Sequence, residues 1–249
     1  MAIPGEVMQA IGQAYQFVFI GALEASIRPF ENKFNVHTNP EKTSFKGRSG
    51  KIYSFDFNGE YNHPWMHSEV FGECKGYSKG KNLLDEFRCF IAKAYVTSID
   101  YERHRQDLFW FVTNVPFACS EGSGIRSYDF VSSSLQNAKG EGVKEIMGEG
   151  HVDDAVVRSL VERLGVFILT DSFLKNTDIS YKVMPGESLW VILKKLHGGH
   201  SPSAFRSIAG HVASRNGLPS PDRITSGRRI RLPWLGIKKR VGNEIPAEF

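Results

Sequence analysis

Tyr53-Ser54-Phe55-Asp56-Phe57-Asn58, followed after a short loop-like segment by Phe71-Gly72-Glu73-Cys74-Lys75-Gly76, puts an acid on one extended segment and an acid-x-lysine on the next. In the first segment aromatics alternate with polar residues. A period of two therefore sets Tyr53, Phe55 and Phe57 on one face and turns Asp56 to the other, between Ser54 and Asn58. In the second, Glu73 and Lys75 share a face while Gly72 and Cys74 take the opposite one. If the two segments pair, Asp56, Glu73 and Lys75 converge.

Two carboxylates in an oxygen-rich setting suit Mg²⁺ or Mn²⁺ better than zinc. Asp56, Glu73 and the backbone carbonyl of Cys74 would be the ligands. Lys75 would position a water or steady the charge that builds on a phosphodiester under attack. These residues resemble the PD-(D/E)xK, restriction-endonuclease-like nuclease superfamily, although Phe55 stands where the superfamily's name has proline. The resemblance implies a metal-dependent endonuclease acting on nucleic acid, DNA in preference to RNA. The same residues also suit a surface hairpin with an Asp56–Lys75 cross-strand ion pair.

The flanks follow the same plan. Asn82 can open a helix whose Leu83, Leu84, Phe87, Phe90, Ile91, Ala94 and Tyr95 recur at three and four, a face that would lie on a sheet. Leu108-Phe109-Trp110-Phe111-Val112-Thr113 reads as a strand covered on both faces. Val7 to Ile27 reads as the superfamily's leading helix, with Glu24 near its end as a further candidate metal ligand. Cys119 to Gly150, rich in Gly and Ser, reads partly as a loop over the site. Val152 to Leu164 reads as a helix with Asp153 or Asp154 at its cap, and Val166 to Thr170 as a buried strand.

Gly76-Tyr77-Ser78-Lys79-Gly80 fits G-x-S-x-G, which offers Ser78 as a hydrolase nucleophile. The histidines that such chemistry would need, His197, His200 and His211, fall in the C-terminal part of the chain. The alternative to the elbow is a turn in which Lys79 and Lys81 meet phosphates. Gly80-Lys81 is followed by Asn82 and is no P-loop. His63-Pro64-Trp65-Met66-His67 lacks the cysteines or HExxH spacing of a zinc site and is expected to join the two acid-bearing strands, its aromatics within reach of substrate.

Tyr181 to Pro233 forms a second unit. Tyr181-Lys182-Val183-Met184-Pro185-Gly186-Glu187-Ser188-Leu189-Trp190 reads as strand, turn and Ser-capped helix, and Pro221-Asp222-Arg223-Ile224 to Ile230-Arg231-Leu232-Pro233 as turn and strand. This order resembles a LysM module. The resemblance implies a small βααβ fold and an N-acetylglucosamine-containing glycan held by Pro185, Gly186, Glu187, Ser188, Asp222 and Ile224, or a protein partner on the same fold.

The expected fold class is thus α/β, a restriction-endonuclease-like mixed sheet flanked by helices plus a small βααβ module. The expected boundaries are 1–175, 181–233 and a basic tail over 234–249. With 249 residues, 41% of them hydrophobic, the chain can bury two cores of that size. A net charge of +4 suits a nucleic-acid partner without requiring one. Arg28, Lys33, Lys42, Lys46, Arg48, Lys51 and Arg88 surround the acids in sequence. Three scattered cysteines give no disulfide framework or zinc knuckle. Phe17 to Leu23 is too short to span a membrane and follows no basic segment, so a cytoplasmic protein without membrane contact is expected. Fusion of a nuclease to a recruiting module suggests antiviral defence by analogy, with self-association left open. The rival is a glycan-binding or scaffolding protein with an inactive nuclease-like domain.

Overall fold

The computed structural model describes residues 5–76, 83–116, 124–137, 141–175, 178–197 and 202–233. Helix α1 (Gly5–Ser26) leads into β1 (Phe30–Asn35), the short α2 (Pro40–Thr43), β2 (Ser44–Lys46), β3 (Ile52–Ser54), β4 (Phe57–His63) and β5 (Met66–Lys75). Then come α3 (Leu83–Asp100), β6 (Leu108–Thr113), α4 (Tyr128–Gln136), α5 (Glu141–Met147), α6 (Asp154–Arg163) and β7 (Leu164–Ile168). The chain continues through α7 (Asp171–Lys175), β8 (Ile179–Lys182), α8 (Leu189–His197), α9 (Pro202–Arg215) and β9 (Arg229–Leu232). Two compact units result, Ile27–Thr170 and a terminal unit of Met1–Ser26 with Asp171–Phe249.

The larger unit is a mixed α/β domain with a five-stranded sheet in the order β1-β4-β5-β6-β7. The β1–β4 and β4–β5 pairs are antiparallel, and β5–β6 and β6–β7 are parallel. β5 is the pivot, closing a hairpin on one side and, through α3, a β-α-β crossover on the other. β6, between two parallel neighbours, is buried along nearly its whole length, as its unbroken apolar run requires. Register puts Phe71 beside Phe109 and Glu73 beside Phe111. These side chains therefore share the face that α3 covers with Phe87, Phe90, Ile91 and Tyr95.

The alternation read over Tyr53–Asn58 breaks at one point. Phe55 donates its N–H to Thr43 O (2.9 Å), continuing the small β2–β3 sheet, whereas Asp56 donates to Gly72 O (2.8 Å) and so joins β5. The chain changes sheets between these residues. Phe55 consequently packs under α3 against Phe71, Phe90 and Phe109, while Phe57 lies on the opposite sheet face against Phe30. The expectation that both share one face is corrected by this kink.

The segment expected to be partly loop carries helices α4 and α5. Ser127 caps α4 by accepting from Phe130 N–H (3.2 Å), and Phe130, Val131, Leu135, Val143 and Ile146 are buried. Gly and Ser content concealed an apolar spacing sufficient for two short helices. Asp153 caps α6, accepting from Ala155 and Val156 N–H at 2.8 and 3.2 Å.

The expected 1–175 boundary is replaced by a division that assigns α1 to the terminal unit. There Gly21 lets α1 approach β8 so closely that a Cβ would stand 2.3 Å from Ile179 Cγ2 and 2.5 Å from Ser180 O. Phe17 meets Tyr181 at 6.3 Å between ring centres, with the Lys195 ammonium 3.9 Å from the centre of the Phe17 ring. The rest of the unit is a βααβ arrangement in which β8 and β9 pair antiparallel. Asn82 and the segment 234–249 lie outside the described residues.

Gly72 supplies one test of the packing around the acid-bearing strand. A Cβ there would meet the Phe57 ring at 2.0 Å, and that ring is fully buried. Gly72→Ala is expected to cost about 1–3 kcal/mol by overpacking, read as a lower midpoint in denaturant unfolding with an unchanged slope.

Candidate active site

β5 presents Glu69, Phe71, Glu73 and Lys75 on the α3 face by simple alternation. Glu73 is nearly closed off, its side chain only 8% exposed. Both of its oxygens are taken by ammonium groups, Oε1 by Lys75 Nζ at 2.7 Å and Oε2 by Lys93 Nζ at 2.8 Å. Lys93 projects from α3 and also donates to Ser54 O at 2.9 Å, tying the helix to the end of β3. Lys75 has a second carboxylate, Glu86, at 3.2 Å. Asp56, at the change of sheets, accepts the Cys74 N–H at Oδ2 over 2.7 Å. Asp56, Glu73 and Lys75 are thus brought together at one end of β4 and β5.

The electrostatics separate the two acids. Burial, then the neighbouring Glu73 charge, pushes Asp56 up from its ordinary 3.8 to about 6, against the pull of Lys75, the Cys74 N–H and Lys93. Burial would raise Glu73 too, but Lys93 and then Lys75 outweigh it and hold that acid down to about 2. Lys75 loses by burial and gains more from Glu73 and Asp56, so its pKa is strongly raised and it stays an ammonium at any physiological pH. It can stabilise charge or orient a water, and it cannot serve as a base while so paired. Burial also raises the Cys74 and Cys89 thiols, and both are free cysteines.

The apolar spacing of α3 alone does not point to Lys93. A polar lane runs beside that stripe at three- and four-residue steps, Glu86, Cys89, Lys93 and Thr97. Glu86 meets Lys75, Lys93 meets Glu73, and Thr97 Oγ1 meets the Tyr53 hydroxyl at 2.9 Å. A polar lane at helical spacing, bordering the apolar stripe, is the signal that would have found it.

Other expected participants are placed elsewhere. Glu24 belongs to the terminal unit, where it accepts from Arg229 at 2.8 Å. Cys74 meets Asp56 through its N–H. Lys79, Lys81 and Ser78 lie outside the described residues. The His63–His67 turn closes the far end of the β4–β5 hairpin with Trp65 88% exposed, roughly 25 Å along the strand from Glu73, so its aromatics do not line this site. Much of the basic sequence neighbourhood is neutralised locally. Arg48 binds Asp100 through two nitrogens at 2.9–3.2 Å, Lys33 meets Glu31 at 2.9 Å, Lys51 meets Glu145 and Arg88 meets Asp85 at 3.1 Å.

Among the groups named for glycan binding, Glu187 is consumed inside its own unit. Its carboxylate accepts from the Tyr181 hydroxyl (2.8 and 3.0 Å) and Met184 N–H (2.9 Å). Ser188 caps α8, its Oγ accepting from Val191 N–H at 3.3 Å. Gly186 occupies a left-handed turn with φ +79°. Pro185 and Asp222 are exposed and Ile224 is half-buried.

A second polar cluster was not foreseen. The ligand atoms of Glu69, His104 and Asp107 lie within 4.8 Å of one another. Arg103 Nε donates to His104 Nε2 at 2.8 Å, so the ring proton is on Nδ1, where it is donated to Asp107 Oδ2 over 2.6 Å. A metal at Nδ1 would have to displace that proton and set two N–H groups against each other at Nε2. Asp107 also accepts from Glu69 N–H (3.2 Å), and Arg163 NH1 donates to Asp107 O (2.7 Å). The cluster is internally satisfied and works as a structural clasp between β5, β6 and α6.

No protein-family model and no curated protein matches the chain. Among solved structures it is similar to an Acinetobacter baumannii Cap4 SAVED/CARF-domain containing receptor with the cyclic trinucleotide 3'3'3'-cAAA. The identity is 16% and the TM-score 0.32, over 78% of this chain and 42% of that one. A second structure of that receptor gives 15% identity and a TM-score of 0.31 over 78% and 41%. The chain spans about two fifths of the length of these proteins, and superposition this loose assigns no fold. Among the described residues no helix is long and apolar enough to cross a membrane.

The raised Asp56 has a calculable consequence. Its folded-state pKa near 6 exceeds the unfolded 3.8, so folding takes up a proton between these values. This contribution to stability falls as pH rises from about 4 to about 6 and stays unfavourable above. Asp56→Asn, which keeps the acceptor for Cys74 N–H, is expected to raise the melting temperature by several degrees at pH 8 and to change nothing below pH 4. Melting curves across that range check it.

Proposed function

We propose that Asp56, Glu73, Lys75 and Lys93 form a metal-dependent centre for hydrolysis of phosphodiester bonds in nucleic acid. The observation that supports this most is Glu73 held between two ammonium groups beside a desolvated Asp56. Two carboxylates and two lysines, largely removed from water, are expensive to assemble, and an apolar set of similar volume would serve stability equally well or better. Such an arrangement is the kind retained for a ligand.

The donor set fits a hard divalent cation such as Mg²⁺ or Mn²⁺. Asp56 and Glu73 would hold it, and when bound it would supply Lewis acidity toward a phosphoryl oxygen and a more acidic water. Asp56 is the acid whose ionisation is least favourable without a cation, so a cation would draw it into the carboxylate form. Lys75, permanently charged, would stabilise the negative charge that grows on the phosphate oxygens. Lys93 would hold Glu73 in place from the helix side and add a second positive charge at the reacting phosphate.

A second reading has a specific observation in its favour. Glu73 has both oxygens occupied by lysines, as in a closed ion-pair network with a purely structural task. A cation must compete with Lys93, and this separates the readings. Lys93→Met is expected to tighten Mn²⁺ binding in calorimetric titration on the order of tenfold, by removing a like charge. It should also cost about 1–3 kcal/mol of stability, since Glu73 keeps Lys75 on Oε1 and loses the partner of Oε2. A closed network predicts the stability loss and no Mn²⁺ binding in either protein.

Activity is tested by incubating the purified chain with plasmid DNA and with RNA in Mg²⁺ or Mn²⁺. Cleavage should fall at least about a hundredfold in Lys75→Ala. Absence of cleavage by the wild type, or equal cleavage by the variant, contradicts the reading. The βααβ part of the terminal unit carries the resemblance to a LysM module, and we assign it a recruiting role with no catalytic part.

A further inference from the structure

The two-stranded sheet of the terminal unit sorts its side chains by alternation. Ile179, Tyr181, Ile230 and Leu232 are buried, which leaves Ser180, Lys182, Arg229 and Arg231 on the other face. Register sets Lys182 directly opposite Arg229 and Ser180 opposite Arg231. Like charges facing each other across a strand pair are destabilising. An acid at either position would serve the fold better, yet neither strand contains one.

The cations stand on a rigid frame. The Asn216 carboxamide clamps β9, with Nδ2 donating to Arg231 O and Oδ1 accepting from Arg231 N–H, both at 2.8 Å. Arg228 donates to Asn216 O at 2.8 Å and braces the same corner. Arg229 is steadied by Glu24 at 2.8 Å and by Ser180 Oγ at 3.5 Å. Lys182 and Arg231 make no ion pair among the described residues, and both are exposed. Arg229 and Arg231 are two residues apart on one strand, roughly 7 Å, a spacing that successive phosphates of one nucleic-acid strand can meet.

We propose that this face binds the phosphodiester backbone of nucleic acid, with Lys182, Arg229 and Arg231 as its phosphate contacts. The choice of nucleic acid over another polyanion rests on the phosphodiester reading of the Asp56–Glu73–Lys75 centre. Of the two acids in the glycan groove implied by the LysM resemblance, Glu187 is already bound to Tyr181 and Met184, and Asp222 is exposed. The ribbon instead carries three cations against one carboxylate, Glu24, which holds Arg229, and Lys182 and Arg231 keep the face net positive, which suits a polyanion.

The test is fluorescence anisotropy of a labelled 24-bp duplex with the full chain in EDTA, over a series of salt concentrations. The Lys182→Gln/Arg229→Gln/Arg231→Gln variant is expected to bind at least about tenfold more weakly near 0.1 M salt, with the log–log salt slope reduced by two to three. The Lys182→Gln/Arg231→Gln variant leaves the Glu24–Arg229 pair intact and should lower the slope by about two, which keeps the test readable if the triple variant unfolds. Lys194→Gln/Arg206→Gln/Arg223→Gln removes the same charge elsewhere on the unit and should stay within about twofold of wild type. Unchanged affinity and slope in the ribbon variants overturns the proposal. So does an equal loss in the control, or displacement of the duplex by N-acetylglucosamine oligomers. With no divalent cation present, this result is independent of whether the chain cleaves anything.

Discussion

The Glu73 carboxylate, clamped by Lys75 from its own strand and by Lys93 from α3, is the interaction on which the polar cluster of the larger unit depends. One carboxylate oxygen faces along the strand and the other faces the helix. The clamp therefore fixes how α3 sits over β5, and through Ser54 O it reaches the place where the chain changes sheets. Asp56 is delivered beside it by that change, with its carboxylate pinned by Cys74 N–H. A cluster of this kind resists being built by accident, because each charge removed from water must find its partner within hydrogen-bond reach.

The parts of this arrangement that follow from local periodicity were legible in the sequence. Glu73 and Lys75 share a face because strands repeat every two residues, and β6 reads as central because its apolar run is unbroken. The parts set by distant contacts were not. Phe55 and Phe57 alternate in sequence yet pack on opposite sides of the sheet, since the N–H of Phe55 goes to Thr43 at the end of α2 and that of Asp56 to Gly72 in β5. Lys93 was hidden in a helix read only for its apolar stripe. Glu24 and its helix look from sequence like a leading element of the sheet domain, but close packing at Gly21 commits α1 to β8. The helices α4 and α5 were masked by Gly and Ser.

Charge distribution alters the picture of how a polyanion would be met. The basic residues that crowd Asp56 in sequence are mostly spent on neighbouring acids, and pairs of that exposed kind add little stability and leave little net field. The terminal unit differs, since β8 and β9 place cations side by side without an acid in either strand. The proposed recognition would thus rest on a ribbon of net positive charge in one unit, and the proposed chemistry on a desolvated pair of acids with their lysines in the other. This division follows from side-chain chemistry within each unit.

The most direct measurement is a crystal structure of the chain grown with Mn²⁺, with diffraction recorded at the manganese absorption edge. An anomalous peak bound by Asp56 and Glu73, with the Lys93 ammonium drawn away from Glu73, is the predicted result. A peak at Glu69, His104 and Asp107 instead, or none while both lysines still hold Glu73, would contradict the account.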